Sequence, residues 1–183
     1  MTTLDLRRLY RPLYTAGAEP GFVDVPPLPF LMVDGAGDPA GEAYLDAVGR
    51  LYRAAYRVRA ALKASGVVYS VPPLQGRWSD VGDGRGDRSA WRWTMLLQQP
   101  AEADPAMHDI EGVRFETFAE GPSVQVLHVG PYAEETPAIE RLLAFAARHD
   151  REVTGLHHEI YLSDPRRTAP QRLRTIIRYG VTG

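Results

Sequence analysis

The sequence predicts an α+β protein: a tandem βαββ repeat with pseudo-two-fold symmetry, antiparallel or mixed sheets, helices on one side and a central groove. Three observations predict it. Apolar residues recur at helical spacing in two stretches, one in each half of the chain. Short runs rich in β-branched and aromatic residues flank each stretch. Gly and Pro clusters mark the boundaries, so that strand, helix, strand, strand occurs twice at a spacing of roughly 90 residues. The 183 residues read as one domain, with an N-terminal arm over 1–24, a first half over 25–100 and a second over 110–183.

The arm carries Leu4, Leu6, Leu9, Tyr10 and Leu13, which suit packing on the body as a short helix or strand. Val25-Pro26-Pro27-Leu28-Pro29 is rigid and extended, because each proline restricts the residue before it. Phe30–Gly35 reads as a buried strand, and Asp38-Pro39 suits a helix start. Val48, Leu51, Tyr52, Ala55, Val58 and Leu62 then predict a helix near Glu42–Ser65, stopped by Gly66. Val67–Trp78 is a strand broken by Pro72-Pro73, and Trp91–Gln98 is another. The Gly/Asp run Ser79–Arg88 between them reads as a mobile hairpin loop near the mouth of a ligand pocket. Its spacing matches neither a calcium loop nor a phosphate-binding glycine motif.

The second half opens with strands at Val113–Phe118 and Ser123–Val129. Thr136-Pro137 starts a helix near Glu135–Arg148, with Ile139, Leu142, Leu143 and Ala146 on one face. His157–Leu162 and Leu173–Tyr179 are the last strands.

Composition narrows the function classes. Net charge is −2, with 21 basic and 23 acidic residues. That balance argues against nucleic acid as a partner. Arg166, Arg167, Arg172, Arg174 and Arg178 read as a solvated strand face and turn. About 25 residues before the first strand are too few for a helix-turn-helix. No apolar run reaches bilayer length, and Met1–Arg11 lacks the apolar segment of a signal peptide, so no membrane partner is expected and the protein reads as cytoplasmic. The absence of cysteine removes disulfides, thiolate zinc sites and a cysteine nucleophile.

Several stretches resemble stand-alone proteins of the GyrI-like small-molecule-binding family. They are Val25–Gly35 with Gly37-Asp38-Pro39, Glu120–Tyr132, and His157-His158-Glu159-Ile160-Tyr161-Leu162-Ser163-Asp164-Pro165-Arg166-Arg167 followed by Leu173–Arg178. The resemblance spans Leu4 to Val181. It implies a tandem βαββ fold related to gyrase inhibitors and to effector-binding domains of multidrug-sensing regulators. It also implies an aromatic pocket with one glutamate at its base, at the position of Glu159. Some stand-alone members resemble hydrolases that open activated cyclopropanes in DNA-alkylating natural products. One departure is Gln75, where the family stretch carries Glu.

By alternation Glu159 shares a strand face with His157 and Tyr161, and His158, Ile160 and Leu162 share the other. Alternation alone leaves Glu159 either to solvent or to a pocket. The resemblance implies the pocket. The apolar Ile160 and Leu162 suit the face packed on the helices, which leaves Glu159 and Tyr161 for the groove between the halves. Burial among rings raises a carboxylate's pKa and suits it to act as a base. The expected catalytic residues are Glu159 as base, with Tyr132 or Tyr161 donating to an oxygen that gains charge. Tyr69, Trp78, Trp91, Trp93, Phe118 and His128 are the expected ligand-binding residues. The expected ligand is small, hydrophobic and aromatic, cationic or electrophilic. No cofactor and no metal is expected, since neighbouring His157 and His158 point oppositely and no zinc-site spacing occurs. Ser123, Ser163 and Thr175 lack a nucleophile-elbow context. Binding without turnover is the alternative to hydrolysis.

Overall fold

A computed structural model describes residues 1–80 and 87–183. Residues 81–86 of the Ser79–Arg88 loop lie outside the described residues, and the expectation for that loop lies there with them. The chain forms two compact units: Met1–Leu9 with Pro27–Phe118, and Tyr10–Pro26 with Ala119–Gly183. Among the described residues no helix is long and apolar enough to cross a membrane.

The first unit holds β1 (Thr2–Leu4) and α1 (Leu6–Leu9) of the arm. Strand β2 (Gly21–Val25) belongs to the second unit, and the elements that follow Pro27 belong to the first. They are β3 (Leu28–Ala36), α2 (Glu42–Ala64), β4 (Val67–Tyr69), β5 (Gln75–Ser79), β6 (Arg92–Gln98) and β7 (Arg114–Phe118). β5, β6, β3 and β7 lie side by side, antiparallel throughout, and β1 pairs in parallel with β4. Helix α2 buries Ala47, Leu51, Ala54, Ala55, Val58 and Leu62, a stripe at helical spacing whose alanines allow close approach to the sheet. It ends where Ser65 Oγ donates to the Leu62 carbonyl and Gly66 takes a positive φ.

The second unit holds β2, β8 (Gly121–Val129), α3 (Thr136–Arg148), β9 (His157–Tyr161) and β10 (Arg174–Gly180). Its order is β2, β8, β10, β9, again antiparallel. In both units the hairpin's last strand, β6 or β10, sits between the two strands that the helix connects. That insertion makes every pairing within each four-strand set antiparallel, where the sequence left antiparallel and mixed sheets open.

Two edges differ from the sequence reading. The sequence pattern puts Val113–Phe118 at the opening of the second half, but β7 pairs with β3 in the first unit. Strand β2 was read as arm, but its Phe22-Val23-Asp24 run pairs with β8. Each unit thus takes its edge strand from the segment that lies just before the other βαββ run. Strand pattern alone cannot reveal an exchange set by pairing partners distant in sequence.

Sheet faces follow from the register, since directly paired residues share a face. In the second unit Val126, Ile177 and Glu159 are in line, as are Gln125, Arg178 and His158. Helix α3 packs Ala138, Leu142 and Ala146 on Val124, Val126 and Ile177. The Glu159 face is therefore the helix face, which reverses the expectation that Ile160 and Leu162 occupy it.

The opposite face is polar as well as buried. Arg178, only 2% exposed, donates to the Leu13 carbonyl at 2.7 Å and to Gln125 Oε1 at 2.8 Å. Glu120 lies 3.7 Å from it and 2.9 Å from His158 Nδ1. The Gln125 amide donates to the Pro12 and Thr15 carbonyls. This network pins residues 12–15 to the second unit's sheet. Arg178 is thus a buried tether rather than part of a solvated patch; Arg166, Arg167, Arg172 and Arg174 are exposed.

Candidate functional site

The site is built where β8 turns into α3. Gly130 takes φ +140, Pro131 follows, and a 3-10 turn at Tyr132–Glu134 leads into the helix. His128 Nε2 lies 2.9 Å from the Pro131 carbonyl and clamps the turn. A Cβ on Gly130 would meet that imidazole at 3.5 Å, an ordinary contact, so it is the positive φ that calls for glycine. The turn presents Tyr132 and, at the helix start, Glu135. The Glu135 side chain caps no helix N–H and is 6% exposed.

Strand β9 brings His157, Glu159 and Tyr161 to the same place. His157 Nε2 lies 2.7 Å from Glu159 Oε1 and 3.7 Å from Glu135 Oε2. On its other side Nδ1 is 2.8 Å from the Tyr179 hydroxyl of β10. The Tyr132 and Tyr161 rings meet edge to face with centroids 5.8 Å apart.

The electrostatics separate the two carboxyls. Burial first, then the Glu159 charge, push Glu135 up to about 8, against the pull of His157. Burial would also raise Glu159. The hydrogen bond and charge of His157, then hydrogen bonds with Tyr161 and Glu135, instead hold it below the ordinary carboxylate range. His157 lies well above its ordinary value: burial opposes this, and the hydrogen bonds to Glu135 and Glu159 outweigh burial. At neutral pH the set is an imidazolium, a carboxylate and a carboxylic acid. Burial, then the charges of Glu159, Glu135 and Asp164, push the Tyr132 hydroxyl up to about 12, so it stays protonated. The raised carboxyl expected at Glu159 is found at Glu135 instead, because the imidazolium contacts Glu159 more closely. The arrangement can accept a proton at Glu159, give one from Glu135, and donate hydrogen bonds from phenols.

The other expected residues fall into separate settings. Glu159, Tyr132, Tyr161 and His128 belong to the second unit; His128 is spent on the turn. Tyr69, Trp78, Trp91, Trp93 and Phe118 belong to the first. Tyr69 is buried, with its hydroxyl 2.7 Å from Gln99 Oε1, and burial raises its pKa far above the ordinary tyrosine value. Trp93 lies across Gly35, where a Cβ would come within 2.0 Å of the ring. Tyr44 of α2 meets Trp93 edge to face and stacks on Trp78, which meets Trp91 edge to face. Phe118 lies under the Arg77 guanidinium, 4.3 Å from its centroid. Gln75 is buried on the sheet face opposite Trp78.

Glu135 and His157 were not among the expected site residues. His157 was legible as sharing the Glu159 face. Glu135 carried only its place at a helix start beside Thr136-Pro137.

A model of the GyrI-like small molecule binding domain matches residues 18–180. Among solved structures, an uncharacterized conserved protein from Listeria innocua is 34% identical with a TM-score of 0.91, covering 98% of this chain and 100% of that one. A protein from Listeria innocua described as a hydrolase is 33% identical with a TM-score of 0.88, over 98% of this chain and 100% of that one. The EcmrR C-terminal domain shares the fold, with a TM-score of 0.64 at 12% identity over 90% of this chain and 97% of its own. No curated protein matches the chain.

Proposed function

Because the chain belongs to the GyrI-like small-molecule-binding family, we propose that it is a hydrolase opening activated cyclopropanes of electrophilic aromatic compounds by carboxylate-assisted attack of water. The observation that carries this reading is the pair Glu135 and Glu159, bridged by His157, one carboxyl protonated and the other ionised at neutral pH. The similar protein described as a hydrolase supports the reaction class.

In this mechanism a water oxygen attacks a ring CH2 of a cyclopropane conjugated to a dienone. The ring C–C bond breaks, and its electron pair moves through the conjugated system to the carbonyl oxygen. The water proton passes to Glu159. Tyr161 is engaged with Glu159, so Tyr132 is the phenol that donates to the developing oxyanion. Glu135 supplies the proton that the oxygen finally takes, and proton transfer from Glu159 to Glu135 restores the starting state. His157 stays protonated and holds Glu159 ionised between turnovers. The rings of Tyr132 and Tyr161 give flat faces to the substrate.

A second reading is ligand binding without turnover. One observation favours it: the imidazolium that keeps Glu159 ionised also makes it a weaker base. Incubation with an activated spiro-cyclopropane dienone separates the two. Hydrolysis gives a product heavier by one water in mass analysis. Intact dienone that is retained by the protein supports binding alone.

A further inference from the structure

Three potential metal donors converge in the second unit: His157 Nε2 and one carboxylate oxygen each from Glu135 and Glu159, all within 4.8 Å of one another. The His157 nitrogen lies 2.7 Å from the Glu159 oxygen and 3.7 Å from the Glu135 oxygen. Donors of a tetrahedral zinc ion, each about 2.1 Å from it, are about 3.4 Å apart, so these separations bracket the needed value. The second, independent observation is Glu135 Oε1. It is buried, on a residue 5% exposed, and has no hydrogen-bond partner. A buried carboxyl oxygen left unsatisfied costs free energy unless something else meets it. A third feature matches metal-bound histidine: Nδ1, the nitrogen turned away from the carboxylates, meets the Tyr179 hydroxyl at 2.8 Å, which fixes the ring's orientation.

We propose that Glu135, His157 and Glu159 form a binding site for one divalent first-row transition ion, with zinc as the representative. One imidazole and two carboxylates suit such an ion better than calcium, which takes six or more oxygens. Three protein donors leave a coordination position for water. The alternation that turns His157 and His158 apart does not weaken this site, because its strand ligands are His157 and Glu159, two residues apart on one face. The proposal does not rest on the hydrolase reading. An ion here uses the same three side chains that would carry protons, so zinc is expected to inhibit turnover.

The test is equilibrium dialysis of the metal-stripped full chain against Zn2+, with no substrate present. Cobalt substitution then reads coordination from its visible absorption. The expected result is one Zn2+ per chain with Kd below roughly 10 μM, weakened about 100-fold by His157→Gln and about 10-fold or more by Glu135→Gln. Tyr179→Phe keeps the ring and removes only the hydroxyl, so it is expected to weaken binding about 10-fold and guards against loss of fold in the ligand variants. His149→Ala, an exposed imidazole outside the cluster, leaves binding unchanged. No stoichiometric binding, or binding unaltered in folded Glu135→Gln and Tyr179→Phe, overturns the proposal. Turnover measured separately in chelator keeps its failure distinct from failure of the hydrolase reading.

Discussion

Glu135 and Glu159 are chemically alike, and their surroundings drive them in opposite directions. Glu135 faces burial and a neighbouring negative charge; Glu159 faces burial and an imidazolium at 2.7 Å. If Glu135 donates the proton that completes ring opening, kcat/KM measured in chelator falls as pH rises through about 8. Glu135→Gln should flatten that alkaline limb; a limb unchanged in the variant assigns the titration elsewhere. The same shift has a sign for stability. The folded chain keeps a proton that an ordinary glutamate releases near 4.5, so this contribution is present below about 4.5 and is lost as pH rises towards 8. Thermal unfolding of wild type and Glu135→Gln across that window reads it directly. Glu159, Tyr132 and Tyr161 were legible because a sequence motif carries them. The protonation pattern was not legible, because it depends on a helix start meeting a strand remote in sequence.

Among the elements, β3 and β6 are fixed by one close approach. Gly35 pairs with Trp93, whose indole fills the space a Cβ would need, while its Nε1 donates to the Gly37 carbonyl at 3.2 Å. Gly35→Ala should destabilise the fold by about 1–3 kcal/mol through overpacking, read by urea unfolding followed by tryptophan emission. An unchanged midpoint contradicts the packing described. On β10, Arg178→Met should cost about 3–5 kcal/mol, because it leaves the buried Glu120 carboxylate without its guanidinium. A loss below about 1 kcal/mol, typical of an exposed arginine, contradicts the tether. Helices and most strands were legible from apolar periodicity, and α2 and α3 lie within a residue of their expected bounds. The exchange of edge strands β2 and β7 was not, since pairing between distant segments leaves no local signal. Nor was the side of the sheet that α3 covers. Ile160 and Ile177 are equally apolar, and only the register shows that Ile177 lines up with Glu159.

For the whole chain, charge balance and family point the same way. A net charge of −2 spread over interleaved acids and bases offers no phosphate-binding stripe. Purified protein is expected to give no salt-sensitive, sequence-dependent shift of duplex DNA at physiological ionic strength; such a shift would refute the small-molecule assignment of partners. In the proposed mechanism Glu159 takes the proton of the attacking water while the ring-bearing ligand is held by other groups. Single-turnover hydrolysis of an activated spiro-cyclopropane dienone, measured beside its binding affinity in wild type and Glu159→Gln, separates that role from simple binding. Wild type is expected to give a water adduct, and Glu159→Gln to lower the rate about 100-fold or more with affinity changed only a few-fold, because an amide keeps the shape but cannot accept the proton. Equal rates in the two proteins, or no adduct from either, would contradict that role.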